Sequence, residues 1–164
     1  MTRLVASANW SGGWTVRIPD RAPLRVRRDG AGDLTFESDG VAFWVRRRGP
    51  VWRVEGLTES AEFRARSHAD NVRRVWLIET PTLSATASEN GTVRSFARQM
   101  GGALLQFPFQ LATRTVLTVS DGTRSVGTIA SRRTLPFSYA AEVDDRLQPN
   151  HLAALTVLVG SSCD

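Results

Sequence analysis

Hydrophobic and polar positions alternate with a period of two along most of the chain, in short runs rich in Val, Thr, Phe and Trp. "LRVRR" (24–28) sets Leu24, Val26 and Arg28 on one face and Arg25 and Arg27 on the other. "VAFWV" (41–45) is apolar on both faces, and "VWRVE" (51–55), "EFRAR" (62–66) and "RRVWLIE" (73–79) continue the series. "TVRSFARQ" (92–99), "TRTVLTVS" (113–120), "SVGTIAS" (125–131) and "FSYAAEV" (137–143) follow. Successive side chains of a strand point to opposite faces, so this period marks strands with one buried side. Between the runs sit Asp29-Gly30, Asp39-Gly40, Gly49-Pro50, Asn90-Gly91 and Asp121-Gly122. Such pairs suit the tight turns of hairpins. Nine or more short strands at spacings of about 8–12 residues predict an antiparallel barrel or sandwich. "TESAEFRARSHADNV" (58–72) contains helix formers, yet its alternation argues equally for strand, and nothing before residue 146 carries a helical period.

The pattern changes at "NHLAALTVLVG" (150–160), which is apolar at nearly every position and carries no Asp, Glu or Arg. Pro149 cannot continue an element arriving from before it, Asn150 is a good N-cap, and Gly160 is the residue expected just past a helix end. A helix here has no face for water and must lie in a core or in lipid. Ten residues at the α-helical rise give about 15 Å, half the hydrocarbon thickness of a bilayer, so it does not span one. Thr156, Val157 and Val159 are β-branched and keep a buried strand as the competing reading. A helix enclosed by the preceding sheet accounts for both the composition and the number of strands before it.

The segment "DGTRSVGTIASRRTLPFSYAAEVDDRLQPNHLAALTVLVG" (121–160) resembles the end of the tubby C-terminal-like superfamily, which includes tubby domains, phospholipid scramblases and LURP-one-related proteins. The likeness rests on the turn Asp121-Gly122, the run Val126 to Arg132, the run Phe137 to Val143, Asp144, and the apolar stretch His151 to Val159. It covers about a quarter of the chain. It implies a closed antiparallel barrel of about twelve strands around a central buried helix. It also implies a leaning toward lipids or anionic small molecules, although members diverge in function. Tubby domains bind phosphoinositide headgroups through basic side chains that include lysine, and this chain has no Lys. Scramblases carry cysteine-rich and membrane-inserting segments, and this chain has neither.

Composition adds the charge. Of 164 residues, all 21 basic ones are Arg, and the net charge is +5. The codon bias of a GC-rich genome explains this; selection for planar, bidentate phosphate contacts is the alternative. A balance this modest permits an anionic partner without requiring one. The length fits one domain over residues 1–164, with the helix at about 150–160. Cys163 is the single cysteine, so no intrachain disulfide forms. With no secretory leader and no apolar run near transmembrane length, the expected location is cytoplasmic, at most peripheral to a membrane.

The densest cluster of candidate chemistry is "FWVRRRGPVWRV" (43–54): Arg46, Arg47 and Arg48 run into a Gly-Pro turn between Trp44 and Trp52. Arginines here suit phosphates and the indoles suit a flat ligand or a membrane surface. A hairpin tip is also where charge is tolerated most easily, and Arg on an edge deters aggregation. Arg132 and Arg133 form a second basic pair, and Arg73-Arg74 precedes an apolar strand. Trp10 and Trp14 flank a Ser-Gly-Gly turn, where packing is the preferred reading and a pocket mouth the other. Gly101-Gly102 lacks the strand–loop–helix context of a nucleotide motif. His68 and His151 are the two histidines, and no metal spacing, GxSxG or Walker pattern occurs. Asp144 and Asp145 are adjacent and cannot form a dyad in a strand; Asp145 is a candidate cap for the helix approach, and Glu142, Asp144 and His151 are the remaining acid–base candidates. The expectation is a non-catalytic barrel that binds an anionic lipid headgroup or another acidic small molecule through Trp44, Arg46, Arg47, Arg48, Trp52, Arg132 and Arg133. It uses no cofactor, no metal and no nucleic-acid partner. The alternatives are a small β-barrel enzyme of cyclase or isomerase type with an aromatic pocket, and an interaction module that pairs through an exposed strand edge.

Overall fold

The computed structural model describes residues 1–67, 74–90, 116–132, 134 and 136–161. Its strands are β1 (Thr2–Ala8), β2 (Trp14–Arg17), β3 (Leu24–Arg28), β4 (Leu34–Ser38), β5 (Val41–Arg48) and β6 (Val51–Glu55). They continue as β7 (Ala61–Ser67), β8 (Arg74–Glu79), β9 (Ser84–Asn90), β10 (Val116–Asp121), β11 (Arg124–Arg132) and β12 (Ser138–Val143), followed by one helix, α1 (Pro149–Ser161). Each strand pairs antiparallel with its neighbours in sequence, and β1 pairs with β12 from Thr2↔Val143 to Ser7↔Ser138. The twelve strands therefore form a closed barrel. Closure leaves none of them a free edge, which withdraws the basis for an edge-pairing interaction module among the described residues.

The expected runs at 24–28, 41–45, 51–55, 62–66 and 125–131 fall on strands, as do residues 74–79, 116–120 and 138–143 of the runs at 73–79, 113–120 and 137–143, with 113–115 outside the described residues; of the run at 58–72, residues 58–60 belong to a connection and 61–67 are strand. The expected run at 92–99 and the pair Gly101-Gly102 lie outside the described residues, as do His68, Arg73, Arg133 and Cys163. Strands β1, β2, β4 and β9 add to the expected set.

Alternation places one apolar row per strand inside. Val26, Phe36 and Phe43 sit abreast on β3, β4 and β5, the two phenyl rings stacked with centroids 4.5 Å apart. Trp76 on β8 faces Ala87 on β9, which in turn faces Val119 on β10, so a large ring is matched by small neighbours. All these side chains are buried in one cluster that also contains Leu152, Ala153, Ala154, Leu155, Val157, Leu158 and Val159 of α1. "VAFWV" is apolar on both faces as read, but only Phe43 and Val45 are buried; Val41, Ala42 and Trp44 face solvent.

Every residue of α1 from His151 to Ser161 is buried. The Thr156 hydroxyl finds a partner inside the helix itself, donating to the Leu152 carbonyl at 2.7 Å. Two details differ from the expected boundaries. The Leu152 N–H bonds the Gln148 carbonyl at 2.9 Å, so Gln148 and not Asn150 holds the cap position, and Pro149 takes the first helical turn, where its missing N–H costs nothing. Gly160 lies within the helix rather than past its end. A Cβ there would stand 2.9 Å from Cζ2 of Trp14 and 3.1 Å from Cε2 of Tyr139, so the glycine makes room for two rings. At its other end α1 reaches the β6–β7 connection, where His151 Nε2 lies 3.0 Å from the Glu59 carbonyl.

Candidate functional site

The β5–β6 hairpin turns through Gly49-Pro50, pairing Arg48 with Val51 and Arg47 with Trp52. Strand alternation divides the predicted cluster between two faces. Trp44, Arg46 and Arg48 lie on the outer wall, where Arg46 Nη1 and Arg48 Nη2 approach the Glu55 carboxylate at 3.4 and 4.0 Å. The Trp44 ring lies over Gly56, at which a Cβ would come within 2.7 Å of Cζ3. Arg53, the cross-strand partner of Arg46, engages Glu62 through both Nε (3.0 Å) and Nη2 (2.5 Å).

Arg47 and Trp52 share the opposite face at the rim. The Arg47 guanidinium carbon sits 5.6 Å from the centre of the Trp52 ring, and its Nε–H donates to the Gly49 carbonyl at 3.2 Å. A cation over an indole face is attracted by the ring's negative π cloud. The Arg47 backbone N–H donates to Asp33 Oδ1 at 3.0 Å, which ties the β3–β4 loop to the hairpin. Arg132 is exposed at the end of β11, six strands around the barrel from β5, and Arg133 lies outside the described residues. The predicted residues therefore do not line one pocket.

What they share is an end of the barrel. In an up-and-down barrel, the end at which β1 finishes is also where β3, β5, β7 and β11 finish. That end carries Arg27 and Arg28, then Arg46, Arg47 and Arg48, then Arg66 and Arg132. Among the described residues its loop acids, exposed Asp29 and half-buried Asp33, are occupied by backbone amides: Asp29 Oδ1 accepts from Ala31 and Asp33 at 2.9 Å each, and Asp33 accepts from Arg47. The opposite end holds Glu37, Glu79, Asp121, Asp144 and Asp145, while Glu55, at the same end of β6, reaches back along the wall to Arg46 and Arg48. The charge separation was not visible from local motifs, because its members come from separate strands.

The acid–base candidates are all engaged, and apart. Glu142 pairs with Arg3 at 2.8 Å. Asp144 accepts from the Arg146 backbone N–H at 3.0 Å and from its Nε at 3.2 Å, and these bonds hold its carboxyl below the usual range. Asp145 accepts from the Met1 ammonium at 2.7 Å and from the Thr2 hydroxyl at 3.0 Å, which lowers its pKa likewise. Asp145 thus clasps the N-terminus, and the capping of the turn before α1 falls to Asp144. Burial lowers the His151 pKa, partly offset by the Glu59 carbonyl. The neutral ring donates through Nε2, and its buried Nδ1 has no partner among the described residues. No cluster of His, Cys, Asp and Glu among the described residues is placed to hold a metal.

Two surface depressions among the described residues were not anticipated from the sequence. One, of about 530 Å³, lies on the outer wall over Val5, Ala130 and Ala140, flanked by Arg3, Arg17 and Glu142. The other, of about 460 Å³, lies between the β1–β2 turn and β3 and is lined by Asn9, Ser11, Gly13, Trp14, Arg25, Arg27 and Arg28 among others. Trp14 packs inward as expected, 6.1 Å from Tyr139. Trp10 does not: it is 83% exposed at the tip of the turn, because the chain turns outward at Asn9 and leaves no neighbour to cover it.

Fold and site define a twelve-stranded antiparallel barrel with a buried C-terminal helix and one arginine-rich end. Comparison with protein-family models, with curated proteins and with solved structures returns no match. No helix among the described residues is long and apolar enough to cross a membrane.

Proposed function

We propose that this barrel is a binding module that performs no chemistry and meets an anionic lipid headgroup or another acidic small molecule at its arginine-rich end. The carrying observation is the gathering of Arg27, Arg28, Arg46, Arg47, Arg48, Arg66 and Arg132 at one rim, where among the described residues Asp29 and Asp33 are committed to backbone amides and the single carboxylate of Glu55 is shared by Arg46 and Arg48. A one-signed surface attracts the opposite charge and draws partners in an ionic-strength-dependent way.

The helix belongs to the same reading. Its first turn touches Glu59 on the β6–β7 side and its last turn touches Trp14 and Tyr139 on β2 and β12, at the opposite end of the barrel. Contacts at both ends and on opposite walls support a helix that runs along the barrel axis, as in the tubby-like proteins that residues 121–160 resemble. A lumen filled by α1 favours ligand binding on the rim over an enzyme with an interior aromatic pocket.

The test is co-sedimentation with vesicles of neutral lipid, with and without added anionic lipid. A basic side chain near an anionic surface contributes about 1 kcal/mol, so Arg46, Arg47 and Arg48 changed together to Gln should weaken binding by about 100-fold. Unchanged binding of that variant, with its fold verified by circular dichroism, refutes the hairpin's part in the site.

A further inference from the structure

We infer that the cleft between the β1–β2 turn and β3 is a binding site for a phosphate monoester dianion, separate from the β5–β6 hairpin. The cleft holds about 460 Å³ and its side chains are mostly hydrogen-bond donors. Arg25, Arg27 and Arg28 reach it from one strand, and among the described residues none of the three has a carboxylate within 4.0 Å. Glu37 is the cross-strand partner of Arg25 but makes no ion pair with it. Asp29 and Asp33, the acids of the adjoining loop, accept hydrogen bonds from backbone N–H groups. Three exposed guanidinium groups thus line one depression without an ion pair, and an anion with several oxygens can take charge-assisted bonds from them.

The wall opposite the arginines is shaped for the same chemistry. The Thr15 hydroxyl donates to Asn9 Oδ1 at 3.2 Å, which fixes the amide and leaves its Nδ2 donor over Gly13. Gly13 itself seats the turn on β3, since a Cβ there would stand 2.8 Å from the Val26 carbonyl oxygen. Ser11 adds a hydroxyl. The neighbouring Trp10 offers an uncovered ring face to whatever the phosphate is attached to. A dianion matches this set better than a monoanionic carboxylate, because it brings more acceptor atoms and more charge to three cations.

The test uses the full chain labelled with ¹⁵N and titrated, at constant ionic strength, with inorganic phosphate and with glycerol phosphate. The expected result is saturable shifts of the Ser11 to Thr15 amides. Arg27→Gln with Arg28→Gln should weaken binding at least tenfold. Asn9→Asp, which keeps the Thr15 bond but adds a negative charge to the cleft, should weaken it comparably. Arg46→Gln with Arg48→Gln should stay within twofold of the parent, and that variant separates this site from the vesicle-binding reading. Vesicles containing phosphatidate form the second arm. Shifts of the same amides with the soluble ester identify a free ligand, and shifts with vesicles alone identify a headgroup; both uphold the site. No shift at Ser11 to Thr15 in either arm, or equal loss in both arginine pairs with native spectra, overturns it.

Discussion

The two ends of the barrel are built from the same strands, yet among the described residues they treat charge differently. At the acidic end the charges nearest the β1–β12 seam are matched, while Glu37 and Glu79 are in no ion pair among the described residues. Met1 meets Asp145, Arg3 meets Glu142, and Arg146 is bracketed by Asp121 at 2.8 Å and Asp144 at 3.2 Å. These contacts tie β1, the β10–β11 hairpin and the approach to α1 together. At the basic end Arg27, Arg28 and Arg132 have no carboxylate partner among the described residues, and the local aspartates order loops instead. Matched charge holds a fold in register; unmatched charge leaves attraction to spare for a ligand.

The packing of α1 gives the sharpest way to break the comparison. Gly160→Val at the basic end forces a side chain into the space of the Trp14 and Tyr139 rings and should cost about 3 kcal/mol in urea unfolding. The second test concerns the other end of the helix. Burial lowers the His151 pKa, so the unfolded chain takes up a proton that the native chain refuses. Stability should therefore be intact above the ordinary imidazole value of 6.5 and fall as pH drops below it. In His151→Gln that fall should be absent, with acid sensitivity confined to pH values below about 3.8, where Asp144 and Asp145 lose their charge. Loss of the bond to Glu59 without any change in the pH profile would refute the assignment.

Smaller effects sharpen the contrast. A double-mutant cycle on Arg53 and Glu62 should give a coupling of about 0.5 kcal/mol, since both are substantially exposed on the outer wall. Smallest of all, Glu37→Gln with Glu79→Gln at the acidic end should change binding to anionic vesicles by less than about twofold, because the Debye length at physiological salt is about 8 Å. A large gain would show that net charge, and not its placement, governs association.

Much of this was legible along the chain. Strands β3, β5, β6, β7, β8, β11 and β12 announce themselves by alternation and by turn pairs such as Gly49-Pro50 and Asp121-Gly122. The helix is legible because an uncharged run between Pro149 and Gly160 has no solvent face to offer. β9, "SATASEN", was hidden: its small residues carry little strand signal, and it is a strand because β8 and β10 pair on either side. β4, "LTFES", buries only Leu34 and Phe36 and so offers just two apolar positions of alternation. Gly160 reads as a helix stop until Trp14, distant in sequence, is seen against it. The basic end and the cleft by Asn9 were invisible for a related reason. Arg28, Arg48 and Arg132 become neighbours of one rim only when the barrel closes.

That closing seam has a kinetic meaning. The strands that meet there bring Arg3 against Glu142, 139 positions along the chain, and the buried helix follows later still. Pairings so remote must wait for a large loop to be restrained before they repay it, so the ring of strands should assemble late and slowly. Until β12 meets β1, the sheet has two raw borders.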